Sequence, residues 1–267
     1  MVRVSPVNPP TSELGEAVVT GASEGIGEAF ARELAARGYD LLLIARRVER
    51  LEGIAADLRS KHGRTIRVLR ADLATAEGVN ATSHAAFEGG RVPTLLVNNA
   101  GFGLVADTLD SDESRLVEMM RLNMEAVMVL SHRFGRAMYC AGRGGIINVA
   151  STAAFQACPG FGTYAATKAF VLSFTEALHH ELGQRVQVLA LCPGYTISGF
   201  HRVAGLNESS MRFRPMTAET VVDEALNALR LRRPFRVCGI ANYITALAVR
   251  VLPRRWVRVI AARLFRN

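Results

Sequence analysis

Short apolar runs alternate with helical repeats from residue 16 to residue 191, and no two successive runs lie close enough to be joined by a hairpin. Strands separated in this way pair in parallel through right-handed crossovers, which builds a doubly wound sheet with helices on both faces. Six runs carry the pattern: Glu16–Thr20, Tyr39–Ala45, Thr65–Leu69, Thr94–Val97, Gly145–Val149 and Val186–Leu191. The second ends in five apolar residues, Leu41-Leu42-Leu43-Ile44-Ala45, without alternation, as a strand covered on both faces must. Apolar residues at helical spacing predict helices over Ile26–Arg37, Glu49–Lys61, Ser111–Tyr139 (one long helix) and Ala165–Leu182. Sheets of this kind take ligands at the carboxyl ends of their strands, where the strand order reverses.

A length of 267 residues suits one such α/β domain, expected over 16–239, behind a loose tail at 1–15 that holds three prolines. Hydrophobic residues make up 49% and charged residues 21%, the balance of a globular chain. The four cysteines, Cys140, Cys158, Cys192 and Cys238, have neither C-x-x-C spacing nor a histidine cluster nearby, so no metal site and no disulfide framework is expected. Free thiols and the lack of a signal-like segment point to the cytoplasm. There is no run of 18 apolar residues to span a membrane. The net charge of +8 is unevenly placed: residues 225–267 hold ten arginines and no lysine, aspartate or glutamate. A nucleic-acid enzyme spreads its basic residues over a folded face, so nucleic acid is not an expected partner.

The first strand runs into Thr20-Gly21-Ala22-Ser23-Glu24-Gly25-Ile26-Gly27 and then a helix. Glycines here let the backbone turn tightly and approach a diphosphate, to which the helix offers unpaired N–H groups and a partial positive charge. Arg46 and Arg47 follow the second strand, where an NAD-selective site would hold the ribose 2′-hydroxyl with a carboxylate. A guanidinium suits a 2′-phosphate instead, and Ser23 can add a hydroxyl. Glu24 would oppose Arg46 if it faced that phosphate. Ser151 lies just beyond the fifth strand, 13 residues before Tyr164-Ala165-Ala166-Thr167-Lys168. Four residues apart on a helix, Tyr164 and Lys168 share a face. A phenol with a pKa near 10 is a poor base at neutral pH, and a neighbouring cation is expected to lower that value.

The T-G-x-x-x-G-I-G run at 20–27, Asp72-Leu73, Asn98-Asn99-Ala100-Gly101, Ser151 and the Y-x-x-x-K at 164–168, in this order, resemble the short-chain dehydrogenase/reductase family over about residues 16–230. The resemblance implies a single Rossmann-like sheet, NADP(H) rather than NAD(H) as cofactor, and interconversion of a carbonyl and a secondary alcohol by hydride transfer. It places Gly21, Ser23, Glu24, Gly25, Ile26 and Gly27 in the cofactor turn, with Arg46 best placed for the 2′-phosphate and Arg47 beside it. Asp72 would accept from the adenine amino group, with Leu73 lining the same pocket. Asn98 would tie neighbouring strands, Ala100 and Gly101 would leave room for the ribose, and Asn99 would stand beside them among the cofactor-binding residues. Ser151 would orient the substrate oxygen, Tyr164 would exchange a proton with it, Lys168 would hold the nicotinamide ribose, and Asn123 would hold a relay water. Pro193-Gly194 would lie beside the nicotinamide, with Thr196 and Ser198 competing for its carboxamide and Ser198 at the usual spacing. Homodimers or homotetramers through the two long helices are the family expectation. The other function class, a dinucleotide-binding redox sensor without turnover, usually comes with a damaged tyrosine or lysine, whereas Ser151, Tyr164 and Lys168 are all present.

Two segments lie outside those motifs. A substrate lid is expected over about 195–216, and its Phe200, Val203, Leu206, Met211 and Phe213 fit either a substrate with a hydrophobic portion or ordinary loop packing. Residues 240–267 alternate apolar stretches with arginine, and Pro253 can open a helix. There Trp256, Val257, Ile260 and Leu264 share one face, away from Arg254, Arg255 and Arg258. Such a cationic amphipathic extension suits peripheral contact with an anionic membrane, or packing against a partner subunit or the domain itself.

Overall fold

Leu41, Leu42, Leu43 and Ile44 are each at most 1% exposed, because their strand has a neighbour on either side and helices over both faces. The computed structural model of the chain describes residues 14–197, 204 and 215–265. Within them the order is β1 (Glu16–Thr20), α1 (Gly25–Ala36), β2 (Asp40–Ala45), α2 (Val48–His62), β3 (Ile66–Arg70), α3 (Ala76–Phe87), β4 (Leu95–Asn98) and α4 (Glu113–Met120). There follow α5 (Ala126–Ala141), β5 (Gly145–Val149), α6 (Gly162–Leu182), β6 (Gln187–Cys192), α7 (Ala218–Arg230), β7 (Phe235–Val237), α8 (Ile240–Val251) and α9 (Arg254–Phe265).

The strands form one parallel sheet in the order β3-β2-β1-β4-β5-β6-β7. The order reverses between β1 and β4, and this switch point fixes where a ligand crevice opens. One face of the sheet is covered by α1, α2 and α7, which bring Phe30, Leu34, Leu51, Leu58, Val221 and Leu226 against β1, β2 and β4. The other face receives Val79, Leu130, Phe134, Met138 and Leu178 from α3, α5 and α6.

Four elements differ from the sequence expectation, among them α7 over Ala218–Arg230, for which no helix is predicted. Helix α3 was not anticipated, since Ala-Glu-Gly-Val-Asn-Ala-Thr-Ser-His-Ala-Ala-Phe has no strong apolar stripe; its start is fixed by the Thr75 hydroxyl, which accepts from Gly78 N at 3.1 Å. Strand β7 is a three-residue edge strand, too short for an alternation to register. The single helix expected over 111–139 is divided by a π-helical turn at Arg121–Glu125, which holds Asn123. Such turns widen a helix by one residue and often sit at functional positions.

Buried polar side chains link the central strands to that second helix layer. Asn98 on β4 donates to Asn148 Oδ1 on β5 at 2.8 Å and to the Ser131 hydroxyl on α5 at 3.1 Å. Asn148 in turn donates to the Thr175 hydroxyl on α6 at 3.0 Å.

Candidate active site

At the switch point the turn between β1 and α1 is built around Gly21 and Gly25, whose φ of +65° and +58° favour glycine. Gly27 is required by space: a Cβ there would lie 2.2 Å from Gly21 O and 2.5 Å from Asn99 Nδ2. The loop after β4 is fastened to this turn. Thr20 Oγ1 accepts from Asn99 N and Ala100 N, both at 3.0 Å, and Asn99 Nδ2 donates to Thr20 O at 3.0 Å and Gly21 O at 3.2 Å. Ile26 packs partly buried against the core. Glu24, at the N-cap of α1, makes no capping bond with its side chain, so the first-turn N–H groups remain suited to an anion. The turn fits a dinucleotide diphosphate on these grounds.

The arginines at the end of β2 diverge. Arg47 bends to the glycine turn, its Nη2 2.9 Å from both the Ser23 hydroxyl and a Glu24 carboxylate oxygen. Arg46 points the other way, 3.3 Å from Glu118 and 3.9 Å from Asp72. Glu24 thus faces Arg47, and the opposition to Arg46 considered from the sequence does not arise in this arrangement. Arg50, which the motifs did not single out, also reaches the turn, with Nε 3.4 Å from Ser23 O. Asp72 accepts from Ala74 N at 3.0 Å, shaping the bend before α3. Leu73 is buried in the core cluster with Val18 and Ile44.

Ser151 follows β5, and its hydroxyl accepts from Ala153 N at 3.1 Å. Tyr164, in the first turn of α6, is buried, hydrogen-bonds the Ser151 side chain, and stacks on Phe161 with ring centroids 4.2 Å apart. One turn on, Lys168 is buried too; its Nζ donates to Val149 O at 2.8 Å and lies 5.8 Å from the Tyr164 ring centroid. Gly101 forms the adjoining wall, where a Cβ would meet Asn123 Oδ1 at 2.9 Å and Lys168 Nζ at 3.4 Å. The glycine turn, Asn99–Gly101 and the Ser151, Tyr164 and Lys168 side chains are therefore contiguous.

The electrostatics correct one sequence expectation. Burial pushes the Tyr164 phenol well above its ordinary value, with the Ser151 hydrogen bond opposing the shift. The same burial pulls the Lys168 ammonium down to about 8. A phenol that stays protonated at neutral pH is a proton donor, and a nearby ammonium stabilises the phenolate formed when the proton leaves. Lys168 is charged below about 8 and neutral above it. Carbonyl reduction is thus expected to show kcat/KM falling about tenfold per pH unit above roughly 8 and level from there down to pH 6. A flat profile from pH 7 to 10, measured by stopped-flow or steady-state NADPH oxidation, would remove the lysine charge from the mechanism.

Asn123 is fully buried; its Oδ1 accepts from Phe102 N at 3.2 Å, and Nδ2 donates to Phe102 O at 2.9 Å and the Thr167 hydroxyl at 3.1 Å. It joins the loop after Gly101 to α6. Pro193 O accepts from Thr152 N at 3.0 Å, and Gly194 lies against Asn242 of α8. The Thr196 hydroxyl turns back to Gly194 O at 3.1 Å. Ser198 and most of the expected lid lie outside the described residues. Thr20, Phe161 and Asn242 also shape the site. Thr20 stood within a recognised motif, whereas the stacking of Phe161 and the reach of Asn242 depend on tertiary placement that no local spacing reveals.

A model of the family described as short chain dehydrogenase matches residues 16–208. The very-long-chain 3-oxoacyl-CoA reductase of Anas platyrhynchos is 31% identical over 228 residues, covering 83% of this chain and 71% of that protein. The 7beta-hydroxysteroid dehydrogenase of Collinsella aerofaciens is 32% identical over 221 residues, covering 79% of this chain and 81% of that protein. Among solved structures, a short-chain dehydrogenase from Sphingobium yanoikuyae in complex with NADPH superposes with a TM-score of 0.80 at 30% identity, covering 87% of this chain and 92% of that one.

Proposed function

Because the chain belongs to the short-chain dehydrogenase family, we propose that it is an NADP(H)-dependent oxidoreductase that interconverts a carbonyl and a secondary alcohol. The observation that carries the reading is the hydrogen-bonded Ser151–Tyr164 pair beside Lys168, contiguous with the glycine turn at the sheet's switch point. A sensor without turnover would have no use for this set.

The cofactor, when bound, supplies the hydride in reduction and accepts it in oxidation. Gly21, Gly25 and Gly27 admit its diphosphate to the start of α1, with Ser23 and Ile26 completing the turn. Arg46 and Arg47, with Arg50 behind them, present the cationic charge that favours a 2′-phosphate over a free hydroxyl, while Asp72 and Leu73 stand on the adenine side. Ala100 and Gly101 leave space for ribose, Asn99 fastens their loop to the glycine turn, and Lys168 retains N–H donors beyond its bond to Val149 O for the ribose hydroxyls. Pro193, Gly194 and Thr196 border the nicotinamide side. Ser151 orients the substrate oxygen, and Tyr164 gives that oxygen its proton as the carbonyl carbon gains the hydride, leaving an alcohol. Asn123 acts here as a positioning residue, locking α6 to the cofactor loop; the second lone pair of its Oδ1 is what it offers a relay water.

A substrate with a hydrophobic portion suits the wall around Tyr164, formed by Phe102, Ala153, Cys158 and Phe161 with Leu104 and Val105 partly buried. The relatives named for a very-long-chain oxoacyl thioester and a hydroxysteroid point to the same class. Exposed Val117, Met120 and Met128 along α4 and α5 support a homodimer or homotetramer through these helices. The test is a screen of steroid ketones, long-chain 3-oxoacyl thioesters and polyol-derived ketoses, followed at 340 nm with NADPH and NADH in parallel. Turnover is expected with NADPH on the bulky apolar ketones, and Arg46→Gln with Arg47→Gln is expected to erase a preference of about ten- to a hundredfold for NADPH. Preference for NADH, or activity confined to the ketoses, would contradict the reading.

A further inference from the structure

Helix α8 turns its larger apolar side chains away from the protein. Its buried residue, Ala246, joins Phe155, Cys192 and Val237, and Asn242 on the same side donates to Cys238 O at 2.7 Å. The opposite side carries Ile240, Tyr243, Ile244, Leu247 and Val251, which are 45% to 86% exposed. Helix α9 repeats the arrangement: Val257 and Ala261 are buried, whereas Trp256, Val259 and Ile260 are about half exposed. Of the residues that helical spacing grouped on one face, Val257 thus turns inward, Trp256 and Ile260 stay outside, and the Leu264 side chain lies outside the described residues. Eight large apolar side chains on two consecutive helices are more than a protein leaves in water without a partner surface.

The charge around them identifies the partner. Residues 225–267 contain ten arginines and no acidic residue. Arg236 is neutralised by Glu224 at 2.8 Å, but Arg250, Arg254, Arg255, Arg258 and Arg263 pair with no carboxylate among the described residues. A second copy docked face to face about a twofold axis would bring these guanidiniums against their own counterparts, with no acidic group in the segment to answer them. A layer of anionic headgroups answers them directly, and tryptophan with arginine stems suits the interfacial zone. Among the described residues no helix is long and apolar enough to cross a bilayer, so the contact lies along its surface.

We propose that α8 and α9 dock this protein on the surface of an anionic phospholipid bilayer, with the outward apolar side chains entering the interfacial layer and the arginines meeting lipid phosphates. The attachment stands apart from the reaction, since it needs neither cofactor nor turnover. Its position favours an apolar substrate all the same. Ala246 contacts the cluster containing Ala154 and Phe155, in the turn that follows Ser151, and Arg250 lies 5.9 Å from the Phe155 ring.

The full chain is sedimented with vesicles of phosphatidylcholine alone and of phosphatidylcholine mixed with phosphatidylglycerol. It is expected to bind the mixed vesicles at low salt and to lose about tenfold or more in affinity on raising salt to ~0.3 M. Ile244→Asp with Leu247→Asp is expected to abolish binding while leaving the circular dichroism spectrum and NADPH oxidation of a water-soluble ketone unchanged. Arg254→Gln with Arg255→Gln and Arg258→Gln is expected to weaken binding about tenfold or more. Failure to bind mixed vesicles at low salt, or equal binding to the neutral ones, overturns the proposal. So does an Ile244→Asp, Leu247→Asp protein that dissociates from dimer to monomer with vesicle binding unaltered, since the occupant is then a second copy.

Discussion

Tyr164→Phe lowers kcat for carbonyl reduction by about a thousandfold or more, with NADPH binding and thermal stability left close to those of the parent. The substitution removes one oxygen and little else. The ring keeps its stacking on Phe161, and the Ser151 hydroxyl keeps its bond to Ala153 N, so no buried group is stranded. What disappears is the phenolic proton that faces the Ser151 hydroxyl. A thousandfold corresponds to about 4 kcal/mol of barrier, within reach of a positioned general acid. Steady-state NADPH oxidation measures the loss, and titration calorimetry measures cofactor binding. A Tyr164→Phe enzyme with kcat within tenfold of the parent would reassign the proton donor.

Gly27→Ala strikes the other half of the site. Inside a helix this exchange normally helps, by up to about 1 kcal/mol. Here the added methyl would meet the Gly21 carbonyl oxygen at 2.2 Å, and both partners are backbone held by their own hydrogen bonds. Overpacking of this kind costs about 1–3 kcal/mol, which outweighs the propensity gain, and relief requires α1 to move away from the turn. Cofactor affinity is expected to fall by about a hundredfold, and the melting temperature by several degrees. Gly53→Ala is the control: it lies in α2 with nothing within 4 Å of the new Cβ, so it is expected to stabilise slightly and leave cofactor affinity alone. Equal behaviour of the two variants would show that the glycine turn does not hold the cofactor.

Both predictions concern residues whose roles are visible in the sequence, and the reason is local. A strand, a glycine turn and a helix occupy consecutive residues, so their spacing carries their geometry; Tyr164 and Lys168 are one helical turn apart for the same reason. The alternation of runs likewise predicts a parallel sheet, because a crossover leaves a length of chain between strands. Features made by tertiary contact escaped. The sequence favours Arg46 over Arg47 for the 2′-phosphate, yet it is Arg47 that reaches Ser23 in the glycine turn, while Arg46 turns to Glu118 on α4. The Tyr164 phenol was expected to be acidic from its lysine neighbour, yet burial dominates, and burial is a property of the whole fold. The periodicity of 240–267 marked an amphipathic segment without telling which side would meet the protein; Ala246 and Val257 decide that.

The amide and hydroxyl chain through Asn98, Ser131, Asn148 and Thr175 has a bearing on how this molecule fails. It rivets together the strand that leads to Ser151 and the helix that bears Tyr164, in a layer where each of the four is at most 3% exposed. Neither support can fray alone without orphaning hydrogen-bonding groups inside the other. Heat therefore acts on catalysis as on a fuse, with full competence up to the temperature at which the whole layer gives way.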